Sequence, residues 1–548
     1  MRPWYSVLWL PSAAFKMNAL SGMHIAARQE AVSNEVTPWW EAPWFMILCM
    51  FLIAAPLIWP DIPGLTDLPG HLGRYKIAVS LQHSEDLRRF YEFEWALVPN
   101  LGVDLIVVAL SRFIDVELAV KLIALMTPPL TLLGFLLVAR EAHGRISPTY
   151  LFAAPLILGY PFQYGFLNFT LSVAFAFLAL GLWLRLGRSG RIGLRAALFV
   201  PLSLAVWLVQ AFGWGILGLL AFASEITRQL DLNRAFPKAA VLAVYRCSPL
   251  VAPLALTLAW QSGNAEAATG DWFNIAWKLT ALLNSLRDRW IFLDLGSICL
   301  LLFFIYCGAR DHKLAYARSL ALGAILLLLA VLFLPRILLG GAHVDSRLAP
   351  YVLAVAILGI RPSLTGSYRF ANLLALTGLG FFLVRVGSNV TSLWLYDRSY
   401  DAELRVLDYI PKGARVAAFV GAECHPRWAT SRLEHLPGMA IVRKDAFSND
   451  QWTVSGSHLL HVRSPWTHFV DPSQFVTAQP CDKEKWQTIE EALTRLPREN
   501  FDYVWLVNPP PYEAALTSSW RAIWAQGTSA LFELHHTNPE RRTEVRIP

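Results

Sequence analysis

Apolar stretches long enough to cross a lipid bilayer recur from residue 44 to about residue 387, and they limit what this 548-residue chain can fold into. A run of roughly 17 to 25 apolar residues satisfies its own backbone as a helix and places its side chains in hydrocarbon. With 55% hydrophobic and 16% charged residues, the chain is too apolar for a soluble protein of this length. The runs therefore read as membrane spans and not as one oversized core. The first, 44–60, has no small-residue cleavage site before Asp61, so it reads as a retained anchor and not as a signal peptide. Residues 1–43 read as a mostly unstructured cytoplasmic tail, with Met17 or Met23 as alternative starts.

A net charge of +7 could suggest a nucleic-acid partner, but the distribution of the basic residues argues against one. They gather at Arg140 and Arg145, at Arg185 to Arg195, at Arg228 to Lys238, at Arg310 to Arg318, and at Arg361 and Arg369, after every second apolar run. That is the positive-inside pattern of a multi-pass membrane protein. It places pairs of crossings within 148–184, 196–224, 239–309 and 319–360, and one more at 371–387. The run 117–138 is long enough to span, whereas 101–114 is shorter and carries Asp104 and Arg112, which suits an in-plane or re-entrant helix. The expected fold is mainly α, a polytopic transmembrane helical bundle of about 11 spans, or about 12, over residues 44–395. This topology puts the loops holding Asp67, 162–168, 261–293 and 336–347 on one extracytoplasmic face with the C-terminal region.

From residue 396 to 548 the composition becomes mixed, and a soluble, extracytoplasmic (periplasmic) α/β domain is expected. Strand-like runs occur at 415–420, 439–442, 459–462, 501–507 and 531–534, and helical patterns at 402–409, 484–496 and 511–525. No glycine-rich phosphate loop follows any of the strands, which leaves a binding or structural domain. Cys49, Cys247, Cys299 and Cys307 fall in apolar runs and read as small core residues. Cys424 and Cys481 stand alone in the exported domain, where a disulfide is expected and two buried thiols are the alternative. Histidines collect there too, among them His425, His435, His458, His461, His535 and His536, but none has the spacing of a zinc site. No cofactor is expected.

Candidate chemistry lies in the outer loops. Thr66-Asp67-Leu68-Pro69-Gly70-His71 follows the first span closely, and ionisable groups beside a membrane helix mark a functional site, although Asp and Pro-Gly also make ordinary turns. Asp67 could accept a proton from an incoming hydroxyl, with His71 the next polar group, and Glu92 and Glu94 offer further carboxylates at the far end of the 61–100 loop. Arg336 and Arg347 flank another loop, where a planar guanidinium suits a lipid phosphate. Either arginine could equally anchor a helix end by snorkelling, and Asp345 could pair locally with Arg347. Between two spans, Gln163, Tyr164 and Asn168 sit in an aromatic hairpin where rings could stack on a sugar and amides bond its hydroxyls. Gln210 has the same character, and belt anchoring accounts for both segments as well.

This arrangement resembles the GT-C superfamily of polytopic glycosyltransferases acting on polyprenyl-phosphate sugars. Members share an acidic motif in the first outer loop, in-plane helices within that loop, many further spans and often a soluble C-terminal domain. Asp67 matches the position of the acidic motif, and residues 101–114 resemble the in-plane helix. The family often carries Asp-x-Asp where Asp67 is followed by Leu68 and Pro69, which argues against a divalent metal held by paired acids. The resemblance implies a bacterial inner-membrane enzyme that moves a sugar from a polyprenyl-phosphate donor to a glycan, lipid or protein acceptor, with inversion. A lipid or glycan transporter would show related halves or polar groups at mid-membrane, and no such repeat is evident. A non-catalytic membrane protein with a periplasmic binding domain is the remaining alternative.

Overall fold

A computed structural model describes residues 37–262, 269–338, 343–363, 367–425, 427–453, 459–482 and 485–534. Residues 1–36 of the expected 1–43 tail, residues 339–342 of the 336–347 loop, and His458, His535 and His536 lie outside the described residues.

Among the described residues, five helices are long and apolar enough to cross a membrane: Val116–His143, Leu167–Arg188, Ile192–Val209, Ile291–Arg310 and Tyr368–Tyr409. A sixth crossing is made if Phe236–Leu250 and Ala252–Trp260, bent by 66°, count as one broken span. This corrects the expectation of eleven or twelve. The apolar runs are real, but many are too short or too broken to span. The first member of the 148–184 pair is the short helix Tyr150–Ala153, the 3-10 turn Ala154–Leu158 and the one-turn helix Tyr160–Tyr164. Leu151, Ala153 and Ala154 are fully buried, so this run is hydrophobic because it is protein core. In the 319–360 pair, Arg318–Phe333 and Val344–Leu358 have only 16 and 15 residues. The opening helix Pro43–Ile58 also has 16.

The helix Val116–His143 packs extensively along Leu167–Arg188. Asp115 caps the first of these, accepting from the Leu118 backbone N–H at 2.8 Å. The two backbones approach closely because small residues face the partner helix. A Cβ on Gly134 would come within 2.7 Å of the Phe177 Cβ, and one on Gly181 within 2.8 Å of the Leu137 Cβ. The expected in-plane segment is the nine-residue helix Gly102–Leu110. Its Asp104 is buried and ion-paired with Arg74 of the helix Leu68–Ser80 at 2.9 Å.

The C-terminal domain holds a mixed seven-stranded sheet with the order Arg521–Gln526, Ser529–Glu533, Tyr503–Val507, Arg415–Gly421, Phe475–Thr477, Gln487–Thr488, and with Phe447–Ser448 also on Arg415–Gly421. The central Arg415–Gly421 runs parallel to Tyr503–Val507, Phe475–Thr477 and Phe447–Ser448. Two segments differ from their sequence patterns. Gly438–Lys444 is a helix where a strand is expected at 439–442, because a short, wholly buried apolar run has no period to betray its type. Arg521–Gln526 is a strand where a helix is expected, since it closes a hairpin on Ser529–Glu533 through Gly527 at φ 59°. Cys424 and Cys481 are joined by a disulfide, with their Cα atoms 5.4 Å apart.

The domain is fastened to the membrane part by its own chain. The strand Tyr91–Phe93 from the first loop pairs antiparallel with Leu460–Val462. The helix Gly438–Lys444 packs on Leu68–Ser80, where a Cβ on Gly73 would meet the Gln451 side chain at 2.7 Å. A strap of residues 427–435, following the central strand, lies against the helices through Arg287, Asp294 and Tyr396, which bond Trp428 and Thr430.

Candidate active site

Asp67 ends the loop after the first helix and occupies the N-cap position of Leu68–Ser80. Its backbone N–H donates to the Tyr164 carbonyl at 2.9 Å, and that of Thr66 to the Gln163 carbonyl at 3.3 Å. The aromatic hairpin thus lies directly against the acidic motif. Gly165, at φ 99°, makes this approach possible, because a Cβ there would come within 3.0 Å of the Asp67 nitrogen.

The Asp67 carboxyl is buried among charges from three other segments. Burial raises its pKa well above the usual carboxylate range; the Glu434 and Asp471 carboxylates push it further in that direction, and the Arg347 guanidinium opposes them. His435 Nε2 lies 4.0 Å from both Asp67 Oδ1 and Asp471 Oδ1. Burial lowers the His435 pKa against the pull of Asp471, which favours a neutral ring between the two acids. The Trp452 ring packs, tilted, against the rings of His435 and His71, with centroids 4.3 and 4.8 Å apart. Helix ends and the C-terminal domain therefore build one site together.

The candidate cations separate. Arg347 lies in the first turn of Val344–Leu358 with its Cζ 3.8 Å from the Phe166 ring centroid, and its charge is felt at Asp67. Arg336 sits over the Trp277 ring at 4.1 Å and pairs with Asp271 at 3.6 Å. Asp345 does not pair with Arg347; it is fully buried against Lys278 Nζ at 3.1 Å and also accepts from Trp277 Nε1 at 3.3 Å. His343, between the two arginines, is pushed down to about 3 by burial and by their charges, so it stays neutral.

The amides have structural work. Asn168 accepts from the Val103 N–H at 2.6 Å and donates to the Asn100 carbonyl at 3.1 Å, which caps and anchors Gly102–Leu110. Gln210 caps Ala211–Asp231 by accepting from the Phe212 N–H at 2.7 Å. Gln163 is buried and accepts from Arg432 at 2.9 Å. Tyr164 faces Tyr160, Phe166 and His343 at 5.4, 4.9 and 5.6 Å. Glu92 and Glu94 stand apart from the Asp67 cluster. Glu92, exposed on the strand that pairs with the C-terminal domain, meets Arg463 at 3.0 Å, and the Glu94 N–H donates to the Leu459 carbonyl.

Sequence reasoning missed the strap. Arg432, Glu434, Arg287, Asp288, Tyr160 and Tyr164 line a small cleft beside Asp67's loop. Burial pushes the Glu434 carboxyl up to about 7 although Arg432 and Arg287 pull it down. The one signal available was local: Arg432-Leu433-Glu434-His435 packs three ionisable groups just before Pro437 and Gly438. Among the described residues, no group of three or more His, Cys, Asp or Glu side chains is placed to hold a metal ion.

No protein-family model matches the chain, and no curated protein matches it. Among solved structures, it is similar to the crystal structure of ArnT from Cupriavidus metallidurans bound to undecaprenyl phosphate, with 10% identity, a TM-score of 0.47, and coverage of 90% of this chain and 98% of that one. The apo form of the same protein gives 11% identity, a TM-score of 0.48, and coverage of 92% and 98%. Similarity at this level assigns the chain to no family.

Proposed function

We propose that this chain is a multi-pass membrane glycosyltransferase that moves a sugar from a polyprenyl-phosphate donor to an extracytoplasmic hydroxyl. The observation that carries the reading is the Asp67 carboxyl, buried at the junction of helix ends and exported domain and opposed by the guanidinium of Arg347. A carboxylate there takes the acceptor's proton, the freed oxygen attacks the anomeric carbon, and Arg347 stabilises the departing lipid phosphate. Displacement in one step inverts the anomeric centre. Tyr160 and Tyr164 supply faces for a sugar ring at the same place. Helices of spanning length and apolarity supply the membrane in which a lipid-borne donor travels.

The experiment is transfer by purified protein in lipid, with a polyprenyl-phosphate sugar as donor, read by release of polyprenyl phosphate and the configuration of the product. Binding of the donor without any release in the presence of a range of hydroxylated acceptors would leave a lipid-binding protein instead of an enzyme.

A further inference from the structure

Glu434 reaches the site from the exported domain, and its surroundings are incomplete. Its Oε2 is buried, and among the described residues it has no hydrogen-bond partner. A buried carboxylate oxygen left unpaired is costly unless the group is protonated or a ligand brings the missing donor. The oxygen is not isolated from charge. Arg432 and Arg287 stand beside it, Asp288 lines the same cleft, and Tyr160, Tyr164, Tyr400 and Asp67 all feel its charge. Its position is fixed on both sides in sequence. Arg432 is locked to Asp288 at 2.7 Å, and His435 rests 4.0 Å from the Asp67 carboxylate.

We propose that Glu434 and Asp67 act as one two-carboxyl proton acceptor, so that the exported domain supplies half of the acid–base machinery and the open Oε2 marks where the acceptor hydroxyl binds. This rests on the glycosyltransferase reading. The acceptor O–H bond breaks and its proton goes to the carboxyl pair; its oxygen bonds the anomeric carbon; the bond from that carbon to the lipid phosphate oxygen breaks, and its electron pair leaves with the polyprenyl phosphate. Two coupled carboxyls in a buried site cannot both ionise freely, so they take up and release protons as a unit. Burial holds Glu434 at about 7 against the pull of Arg432 and Arg287, and burial together with the Glu434 charge holds Asp67 well above its ordinary value. A base poised near the working pH is the efficient one.

The test compares Asp67→Asn, Glu434→Gln and the double variant in the transfer assay across pH. Each single change should slow transfer by about a hundredfold and remove the rise of rate through neutral pH. The double variant should be no slower than the worse single, as for groups that work as a unit. Glu434→Gln with the wild-type rate and pH profile overturns the proposal, and so do single effects that simply multiply. Should Glu434→Gln fail to fold, Glu434→Asp decides: a slowed rate with a displaced pH limb supports the pair, and wild-type behaviour overturns it. If the wild-type protein transfers nothing, the glycosyltransferase reading falls by itself. Infrared titration of the substrate-free protein then decides the pair, with Asp450, also at about 7 through burial, as internal reference. Loss of one neutral-range carboxyl band in Glu434→Gln with a shift of the Asp67 band supports it; an unchanged Asp67 band overturns it.

Discussion

The guanidinium of Arg432 donates to the Asp288 carboxylate at 2.7 Å with both side chains almost wholly buried, at 3% and 1% exposure. The same guanidinium donates to the Gly64 carbonyl at 2.6 Å and to Gln163 Oε1 at 2.9 Å. Asp288 in turn accepts from Ser392 at 2.7 Å and Asn389 at 3.2 Å on the last long helix. One buried cation therefore ties the strap at 427–435 to the acidic loop, the aromatic hairpin and the helix ends. Arg432 holds φ 58°, a left-handed backbone that side-chain-bearing residues seldom adopt, and the network over-determines it. A second buried pair lies alongside, where Arg385 meets Asp294 at 2.7 Å and Trp428 Nε1 donates to that same aspartate at 2.8 Å.

Arg432→Ala should therefore destabilise the folded protein by about 3 to 5 kcal/mol, because it strands Asp288 as a buried charge. Thermal unfolding in detergent micelles measures this. Replacing exposed Arg427, which meets Glu423 on the surface, should cost less than about 1 kcal/mol and serves as the control. Equal effects from the two arginines would show that the strap is not held by the buried network.

Asp67→Asn should lower the transfer rate by about a hundredfold while donor binding changes little, since the amide keeps size and hydrogen bonding but not basicity. Arg347→Lys should weaken donor binding as well as turnover, because it keeps the charge and loses the fork. Lipid-phosphate binding measured apart from turnover separates the two. A donor affinity unchanged by Arg347→Lys would move the phosphate site away from Arg347, with Arg336 next to test.

The parts of this site that were legible in the sequence are those whose signal is local. Asp67 stands out because an acidic turn follows an apolar run, and the 159–169 hairpin because its aromatics and glycines interrupt one. Arg432 and Asp288 pair across 144 positions in segments with no period, and nothing local links them. Asn168 and Gln210 show why composition is ambiguous. An amide beside aromatic rings reads as a sugar ligand or as a structural group, and in the structure each accepts from a backbone N–H at a helix start. The span count failed for a related reason. Hydropathy registers burial without saying whether lipid or protein does the burying, and the segment 150–164 is covered by protein.

Removing the disulfide by Cys424→Ser with Cys481→Ser should destabilise the C-terminal domain by roughly 3 to 4 kcal/mol, as expected for opening a loop that separates the two by 57 positions. Cys424 lies on the path from the central strand to the strap, so the double variant should also loosen residues 427–435. Protease cleavage in that segment reads the second effect, and mass analysis of alkylated, non-reduced protein reads the bond itself. Two alkylated thiols in membrane-inserted material would mean that the bridge does not form.

Stability should fall as pH rises through neutrality, and Glu434 should contribute to that fall. Its folded carboxyl binds a proton more tightly than the unfolded one, with the value moved up from 4.5 to about 7 by burial. The contribution is therefore fully present below the unfolded value and is lost as pH rises through about 7. Glu434→Gln removes the cost of ionising a buried carboxyl, so it should stabilise the protein at pH 8 by on the order of 2 kcal/mol, after a discount for partial exposure, and much less at pH 5. Thermal unfolding of the two proteins at those two pH values provides the measurement. A difference independent of pH would place the Glu434 proton outside this equilibrium, and a stabilisation larger at pH 5 would reverse the sign of its linkage.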